Sequence, residues 1–225
     1  MNVETARFNM IEQQIRPWYV SDATVLELLS VVKREDFAPA AHRGLAFADL
    51  EIPLLGSGEA AIAKGQCMLQ PRQEARLLQD LAIKPTDTVL EIGAGSGYMA
   101  ALLAKKAQRV LSVEIAPELV TLARNNLRNA GIQNAEVREA DGAKLTSADG
   151  TFDVIVLSGS VAEVPANLLQ MLKVGGRLGT FTGDEPLMNC TLVTKTADAQ
   201  FDTVKAWETL APRLQNFPEP SRFTF

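Results

Sequence analysis

Short apolar runs alternate with amphipathic segments along most of the chain. Residues 87–92 form one such run, and a helix is predicted from Tyr98 to Lys106. Further strands are expected at residues 109–113, 135–138, 152–157, 177–181, 190–195 and about 203–210. Further helices are expected at residues 71–84, 117–130 and 165–172. Strands that alternate with helices are typical of a parallel sheet covered on both faces, so the pattern predicts an α/β fold with a doubly wound, mostly parallel, seven-stranded sheet.

The first third of the chain is less regular. A helix is predicted from Thr5 to Ile15, and Ser21 is expected to cap a second helix with apolar residues at helical spacing. A long loop without clear periodicity follows, up to about residue 70. We therefore expect one structural domain with two parts, an N-terminal helical extension in residues 1–70 and an α/β core in residues 71–225.

The composition is typical of a globular protein. Of 225 residues, 47% are hydrophobic, and 22 Lys and Arg stand against 27 Asp and Glu, which gives a net charge of -5. That balance argues against a dedicated binder of nucleic acid or anionic membranes, whose phosphate contacts need basic side chains. Cys67 and Cys190 are too few for a disulfide framework. Because no secretory signal and no membrane-spanning run of roughly 20 apolar residues is found, we expect a cytoplasmic protein with reduced thiols.

A glycine-rich turn joins the first predicted strand of the core to its helix. Residues 91–98 read E-I-G-A-G-S-G-Y, which places Gly93, Gly95 and Gly97 at the end of the strand. Glycine lets the backbone turn tightly and approach a ligand, and the following helix offers free N–H groups. The third glycine comes one residue too early for the dinucleotide pattern G-x-G-x-x-G, which disfavours NAD. A turn with incidental glycines is the alternative.

Acidic residues follow the next two predicted strands, at the same edge of the sheet. Glu114 ends the second strand, 21 residues after Gly93. A carboxylate at that position can accept hydrogen bonds from both hydroxyls of a ribose. Asp141 and Gly142 follow the third strand, where an acidic side chain can accept a bond from an adenine amino group. Asp-Gly is also a common turn, so a purely structural role for Asp141 stays open.

These residues resemble the motifs of class I S-adenosylmethionine-dependent methyltransferases, which carry E/D-x-G-x-G-x-G and an acidic ribose ligand. Residues 152–156 and 172–178 are similar to the fourth strand of that fold and to the approach to its fifth. Within this class, the chain resembles the protein-L-isoaspartate O-methyltransferase family over about residues 5 to 195. The segments that carry this narrower resemblance are residues 10–16, 33–39, 46–54 and 162–165.

The resemblance implies a Rossmann-like fold and transfer of a methyl group from S-adenosyl-L-methionine to an isoaspartyl carboxylate in a damaged protein or peptide. The implied cofactor-binding residues are Glu91, Gly93, Gly95, Gly97, Glu114, Ile115, Asp141, Gly142 and Ser158. Residues 1–70 would then supply a helical cover and a loop on the substrate side. No metal, nucleic acid or membrane partner is expected, and the protein is expected to be a monomer or a small homo-oligomer.

One segment departs from the family pattern. The family carries T-I-S-x-P before the first core helix, and its serine hydroxyl contacts the substrate carboxyl group. Here residues 67–71 read C-M-L-Q-P, so Leu69, which has no hydrogen-bond donor, takes the serine position. The exchange Leu69→Ser is therefore predicted to raise activity. The preceding loop, residues 56–64, is longer than in the family pattern and is expected to reshape the substrate cleft.

Other donors are expected to replace the missing hydroxyl. Ser158 and Ser160 follow the fourth core strand, and Gln70 and Arg72 lie beside the altered segment. Cys67 is a weak donor, although packing is the commoner role of a reduced cysteine. The candidate catalytic residues are Leu69, Ser160 and Cys67.

The implied reaction needs no general base. A carboxylate acceptor has a pKa near 4 and is ionised at neutral pH, so His42 is expected in a loop or surface role. Because of Leu69, two alternatives stay open: a methyltransferase with a different acceptor, and a catalytically silent protein that binds the cofactor or its product. Phe217 and residues 223–225 are expected to pack onto the core or a partner subunit.

Overall fold

Short helices and a two-stranded sheet form the first third of the protein, in a computed structural model that describes residues 2–56 and 58–219. The α-helices of this part are α1 (Val3–Met10), α2 (Ala23–Val31) and α3 (Gly58–Ala63). Strands β1 (Ile52–Pro53) and β2 (Cys67–Met68) pair antiparallel. A π-helical turn and three 3-10 helices complete this part, at Ile11–Ile15, Arg16–Trp18, Arg34–Asp36 and Ala40–Phe47. Residues 223–225, with the aromatic Phe223 and Phe225, lie outside the described residues.

Two predictions for this part are corrected. The expected long loop contains α3 and the β1–β2 pair, which sequence periodicity cannot reveal because elements of 6 and 2 residues are too short for a period. Asp22, and not Ser21, caps α2, because Asp22 Oδ1 accepts the Thr24 N–H at 2.8 Å. The Ser21 N–H donates to Gln79 Oε1 at 2.7 Å and so anchors the start of this helix to the core.

A seven-stranded sheet forms the centre of the core. Its strands are β3 (Thr88–Ile92), β4 (Arg109–Glu114), β5 (Ala135–Glu139), β6 (Phe152–Val161), β7 (Leu172–Asp184), β8 (Leu187–Ala197) and β9 (Gln200–Thr209). Helix α4 (Pro71–Leu81) precedes the sheet, and helices α5 (Tyr98–Lys106), α6 (Pro117–Asn129) and α7 (Ala166–Gln170) connect successive strands of it. The order across the sheet is β5-β4-β3-β6-β7-β8-β9, and β8 pairs antiparallel with both of its neighbours. The predicted α/β fold with a mostly parallel, seven-stranded sheet and an N-terminal helical extension is confirmed.

The central strands are buried on both faces, which explains their continuous apolar runs. On β3, Val89 belongs to a buried cluster that includes Leu77 of α4 and Leu102 of α5. The next residue, Leu90, belongs to a second buried cluster that includes Leu168 of α7. Burial of one such side chain contributes roughly 1.5–3 kcal/mol. Within the described ranges, none of the helices is long and apolar enough to cross a membrane.

The N-terminal extension contributes to the same core. Met10, Ile15 and Leu29 belong to the buried cluster that contains Val89. Arg34 is 1% exposed, and its guanidinium donates to three backbone carbonyls of this region, those of Ala46, Leu50 and Leu69. These bonds hold the segments around β1 and β2 together. The division into residues 1–70 and 71–225 within one domain stays a prediction.

The order of the strands changes direction beside β3. Strand β3 has β4 on one side and β6 on the other, so that Ile92 is level with both Val113 and Leu157. The chain runs outward from β3 through β4 to β5 and then returns to β6, which leaves a crevice at the carboxyl ends of β3 and β6. Ligands of doubly wound folds bind at such a point.

Candidate active site

The glycine turn after β3 borders a cavity at the carboxyl edge of the sheet. Gly93, Gly95 and Gly97 have φ angles of 92°, 52° and 82°, which other residues adopt only at an energetic cost. A Cβ atom on Gly97 would lie 3.2 Å from the carbonyl oxygen of Ala123, so this glycine lets the start of α5 approach α6. The Gly93 N–H donates to the Val113 carbonyl at 2.8 Å and holds the turn against β4.

Glu114 lies at the end of β4 and lines the cavity, although it is only 6% exposed. One carboxylate oxygen accepts the Gly95 N–H at 2.9 Å. The other accepts the N–H groups of Ile115 and Ala116 at 2.9 and 3.0 Å. A carboxylate offers about four acceptor positions. The three backbone bonds therefore leave about one position for a ligand hydroxyl.

Glu91 is fully buried beneath the cavity and holds Ser158, which lines it. Its carboxylate accepts the Ser158 hydroxyl at 2.8 Å and the Ser112 hydroxyl at 2.6 Å. Burial raises the pKa of Glu91 to about 7, and the nearby charge of Glu114 acts in the same direction. Glu91 therefore positions a serine of the cavity wall and does not itself line the cavity.

Asp141 and Gly142 combine a turn with a place in the cavity wall. The Asp141 carboxylate accepts the Ala143 N–H at 3.1 Å and so begins a 3-10 turn. It also accepts the side-chain amide of Asn216 at 2.9 Å, and hydrogen bonds and the charge of Lys144 lower its pKa. A Cβ atom on Gly142 would lie 2.4 Å from a methyl carbon of Ile92, which explains the need for glycine.

One cavity joins most of the predicted cofactor residues. Those that line it are Gly93, Gly95, Glu114, Ile115, Asp141, Gly142 and Ser158. Glu91 and Gly97 lie behind this wall and support it through the contacts described above. The sequence therefore identified residues that meet at one place, although their contacts with a ligand stay a prediction.

A further wall of the cavity comes from the segment after β9, which the sequence analysis did not connect with the site. The lining residues of this segment are Arg213, Leu214, Gln215 and Phe217. Leu214 lies against the glycine turn, since a Cβ atom on Gly93 would be 3.1 Å from its Cδ2 atom. Phe217 is buried in the core cluster of Leu90, which agrees with its predicted packing role. No periodicity or motif marks this segment, because its contacts with the glycine turn and with β6 lie far away in sequence.

Leu69 and Cys67, both in the altered segment, have different surroundings. Leu69 is 5% exposed and belongs to the buried cluster of Val89, and it does not line the cavity. Cys67 does line the cavity. Burial raises the pKa of its thiol to about 12, and the charges of Glu51 and Glu74 add to this effect. The thiol is therefore neutral at physiological pH and offers a weak donor only.

Three of the other expected donors, Ser160, Arg72 and Gln70, do not line the cavity. Ser160 is fully buried, and its hydroxyl donates to the Ala211 carbonyl at 2.8 Å. Its contact with a substrate stays a prediction. Arg72 pairs with Asp49 at 3.1 Å and lies 3.8 Å from the ring centre of Trp18. The direction in which a side chain points at the end of a strand or the start of a helix depends on tertiary packing, and the sequence pattern carries no information about that packing. Gln70 and His42 do not line the cavity either.

In this doubly wound sheet, the first core strand ends in a glycine turn, and carboxylates at the ends of the next two strands line the same cavity as that turn. These features define a class I S-adenosylmethionine-dependent methyltransferase. The family model described as Protein-L-isoaspartate(D-aspartate) O-methyltransferase (PCMT) matches residues 5–210. The chain belongs to this family, as its sequence motifs predict.

Relatives with this family name cover most of the chain. Protein-L-isoaspartate O-methyltransferase 2 of Marinobacter nauticus is 37% identical over 194 residues, which are 86% of this chain and 85% of the relative. The Koribacter versatilis protein-L-isoaspartate O-methyltransferase is 36% identical over 191 residues, 85% of this chain and 82% of the relative.

Solved structures confirm the fold. A beta-aspartate methyltransferase (PCMT) from Plasmodium falciparum, in complex with S-adenosyl-L-homocysteine, superposes with a TM-score of 0.75 at 18% identity, over 92% of this chain and 98% of its own. A second structure, a protein-L-isoaspartate O-methyltransferase, superposes with a TM-score of 0.77 at 24% identity, over 93% of this chain and 66% of its own.

Proposed function

We propose that this protein transfers a methyl group from S-adenosyl-L-methionine to isoaspartyl carboxylates of damaged proteins or peptides. The observation that carries the proposal is the family match, which extends over residues 5–210 and thus includes the N-terminal extension as well as the cofactor half. A match confined to the cofactor half would fit many methyltransferases. The acceptor class therefore rests on the whole chain and not on the glycine turn alone.

The residues around the cavity fit an adenosyl cofactor. Glu114 keeps an acceptor position beside the turn, where it would bond a ribose hydroxyl. Asp141 would accept an adenine amino group, and Gly142 keeps the wall flat because a side chain there would meet Ile92. Ser158, held by Glu91, supplies a hydroxyl at the carboxyl end of β6. These assignments are supported by placement in one wall and are tested below.

The cofactor supplies an electrophilic methyl group on a sulfonium. The acceptor carboxylate is ionised at neutral pH, so the protein has no proton to remove from it. The residues of the cavity need only bind and orient the two reactants and exclude water. Holding two reactants in line contributes roughly 7–11 kcal/mol to a reaction of this kind. The neutral thiol of Cys67 suits a site without acid or base chemistry.

The two alternatives left open by Leu69 are not favoured. Both arise from the absence of a hydroxyl at the family's serine position. Leu69 is buried in the core cluster of Val89, so its side chain does not make the cavity wall apolar. The family match over the substrate half gives no support to a different acceptor or to a silent binder.

Label transfer tests the proposal. The protein is incubated with methyl-labelled S-adenosyl-L-methionine and an isoaspartyl peptide, with the normal aspartyl peptide of the same sequence as the control. We expect label in the isoaspartyl peptide only, in a base-labile methyl ester. Equal labelling of both peptides, or of neither, contradicts the proposed acceptor. The Glu114→Ala variant serves as the matched enzyme control and is expected to lose most of the labelling.

Three further features are proposed from the sequence. The net charge of -5 supports the absence of a nucleic-acid partner, which a gel-shift experiment at low salt tests. A monomer or small homo-oligomer is expected, and light scattering measures it directly. The cytoplasmic location also stays a prediction.

A further inference from the structure

Arg213 lies in the wall between the cofactor cavity and a second cavity. It shares the lining of the cofactor cavity with Gly93 and Ser158, and that of the second cavity with Glu51 and Glu185. Of the described residues, it alone lines both spaces. A methyl acceptor must reach the cofactor from an adjoining space. Arg213 therefore lies where the two reactants of a methyl transfer would meet.

Ser160 fixes the backbone on both sides of Arg213. The Ser160 N–H donates to the Pro212 carbonyl at 2.7 Å, and the Leu214 N–H donates to the Ser160 carbonyl at 2.9 Å. The Ser160 hydroxyl adds a bond to the Ala211 carbonyl at 2.8 Å. These three bonds tie the segment to the end of β6, so the guanidinium starts from a defined position.

The guanidinium of Arg213 has donors to spare. Its Nη2 donates to the Gly183 carbonyl at 3.0 Å and to the Asp184 carboxylate at 2.5 Å. Its Nη1 is enclosed and has no hydrogen-bond partner in residues 2–56 and 58–219. Arginine stays charged and carries five N–H donors in a plane that matches a carboxylate. The Nη1 donors are therefore unpaired, and a ligand reaches them only after a neighbouring group has moved.

A carboxylate of this chain already contacts the same guanidinium. Glu219 lies 3.0 Å from Arg213 Nε, and 49% of its side chain is exposed. An ion pair with so exposed a partner contributes little to stability, so another carboxylate can take its place. The other cation in the lining of these two cavities, Lys64, is exposed to solvent. Arg213, with 28% of its side chain exposed, is thus the less exposed positive charge at this junction.

We propose that Arg213 binds the free α-carboxylate of the isoaspartyl acceptor, and that Glu219 contacts the guanidinium until the acceptor replaces it. The inference rests on the proposed function and names the residue that recognises its substrate. Arg213 holds one carboxylate oxygen, and the other oxygen stays free to form the bond to the methyl carbon as the carbon–sulfur bond breaks and its electron pair remains on sulfur. The guanidinium thus supplies the hydrogen-bond donor that Leu69 lacks at the family's serine position.

Equilibrium binding tests this role without turnover. With S-adenosyl-L-homocysteine present, an isoaspartyl peptide and the same peptide with an α-carboxamide are titrated by fluorescence anisotropy. The wild type is expected to prefer the carboxylate by about tenfold or more, as for a hydrogen bond to a charged group. Arg213→Gln is expected to lose this preference, Arg213→Lys to keep part of it, and Glu219→Gln to bind the carboxylate more tightly. An arginine that only supports the fold would weaken both peptides equally, and that result would overturn the proposal.

Arg177→Gln is the matched control. Arg177, in the middle of β7, pairs with Asp87 at 2.6 Å, and 19% of its side chain is exposed. Its loss is expected to leave the preference unchanged. If Arg213→Gln weakens S-adenosyl-L-homocysteine binding but keeps the preference, the guanidinium serves the cofactor, and the proposal is wrong.

The label transfer described above separates this inference from the proposed function. If the wild type methylates the isoaspartyl peptide and Arg213→Gln keeps the carboxylate preference, only the role of Arg213 fails. If the wild type does not methylate the peptide, the proposed function fails, and the role of Arg213 fails with it.

Discussion

The Gly95 N–H donates to the Glu114 carboxylate at 2.9 Å and so joins the turn after β3 to the end of β4. The same carboxylate accepts the backbone N–H groups of Ile115 and Ala116. Its position is therefore fixed by two neighbouring strands before any ligand binds. A ligand that forms a hydrogen bond with a carboxylate fixed in this way needs to order little of the protein. This raises the affinity for the ligand.

Glu114→Ala is expected to weaken binding of S-adenosyl-L-homocysteine by about 1.5–3 kcal/mol, the range for a hydrogen bond to a charged group. Loss of the bond to Gly95 also makes the glycine turn less ordered, which weakens the binding further. Calorimetry measures the affinity, with the exposed Glu118→Ala as the control of equal charge. An unchanged affinity in Glu114→Ala would remove this residue from the site.

Glu91 is expected to make stability depend on pH. Burial raises its pKa from 4.5 to about 7, so the folded state binds the proton more tightly than the unfolded state. The stabilisation from this proton is complete below the unfolded pKa and is lost as the pH rises through the folded pKa. Between about pH 4.5 and 7.5 the free energy of unfolding should therefore fall by about 3 kcal/mol from this group.

The Glu91→Gln variant tests this pH dependence, because a neutral amide cannot ionise. Urea unfolding over the same pH range is expected to show a flatter decline in the variant than in the wild type. Glu139→Gln, an exchange on an exposed position of β5, is the control. Parallel pH profiles for Glu91→Gln and the wild type would show that this carboxyl titrates normally.

Leu69→Ser is expected to destabilise the protein and not to raise activity. The sequence pattern alone predicted a gain, because the exchange restores the hydroxyl of the family. In the structure the side chain is buried in the core cluster of Val89, away from the cavity. Removing a buried leucine side chain costs about 2–5 kcal/mol, so thermal unfolding should shift to lower temperature. Leu45→Ser, at a position 40% exposed, is the control. A higher rate of methyl transfer in Leu69→Ser would contradict this placement.

Cys67 is expected to resist alkylation in the folded protein. Burial raises the pKa of its thiol to about 12, so the reactive thiolate is scarce at about pH 8. Iodoacetamide followed by mass spectrometry measures the modification. Cys190, which is also buried and has a raised pKa, is expected to behave alike, and both cysteines should react in denaturant. Rapid labelling of Cys67 in the native state would contradict the burial of this thiol.

The meeting of the expected cofactor residues at one cavity was predictable because its signals are local. Gly93, Glu114 and Asp141 each follow a strand whose apolar run is visible in the sequence. Parallel strands end at the same edge of a sheet, so residues after them meet without further information. The boundaries of α5 agreed for the same reason, since the helix begins directly after the glycine turn and ends at Lys106.

The acceptor side was not predictable in this way. Ser158 and Ser160 both lie near the end of β6, yet Ser158 lines the cavity and Ser160 faces the segment after β9. Arg213 carries no motif, and it reaches the site because Ser160, 53 residues earlier, binds the backbone beside it. Sequence separation of this size leaves no periodic signal.

The sequence by itself determined the α/β class, the family and the cofactor turn, because hydrophobic period and glycine conformation depend on neighbouring residues. Only the tertiary structure decided which donors face the cavity. It buried Leu69, turned Ser160 inward and placed Arg213 between the two spaces. The physical reason is that the direction of a side chain at the end of an element is set by what packs against it, and here that partner lies far away along the chain.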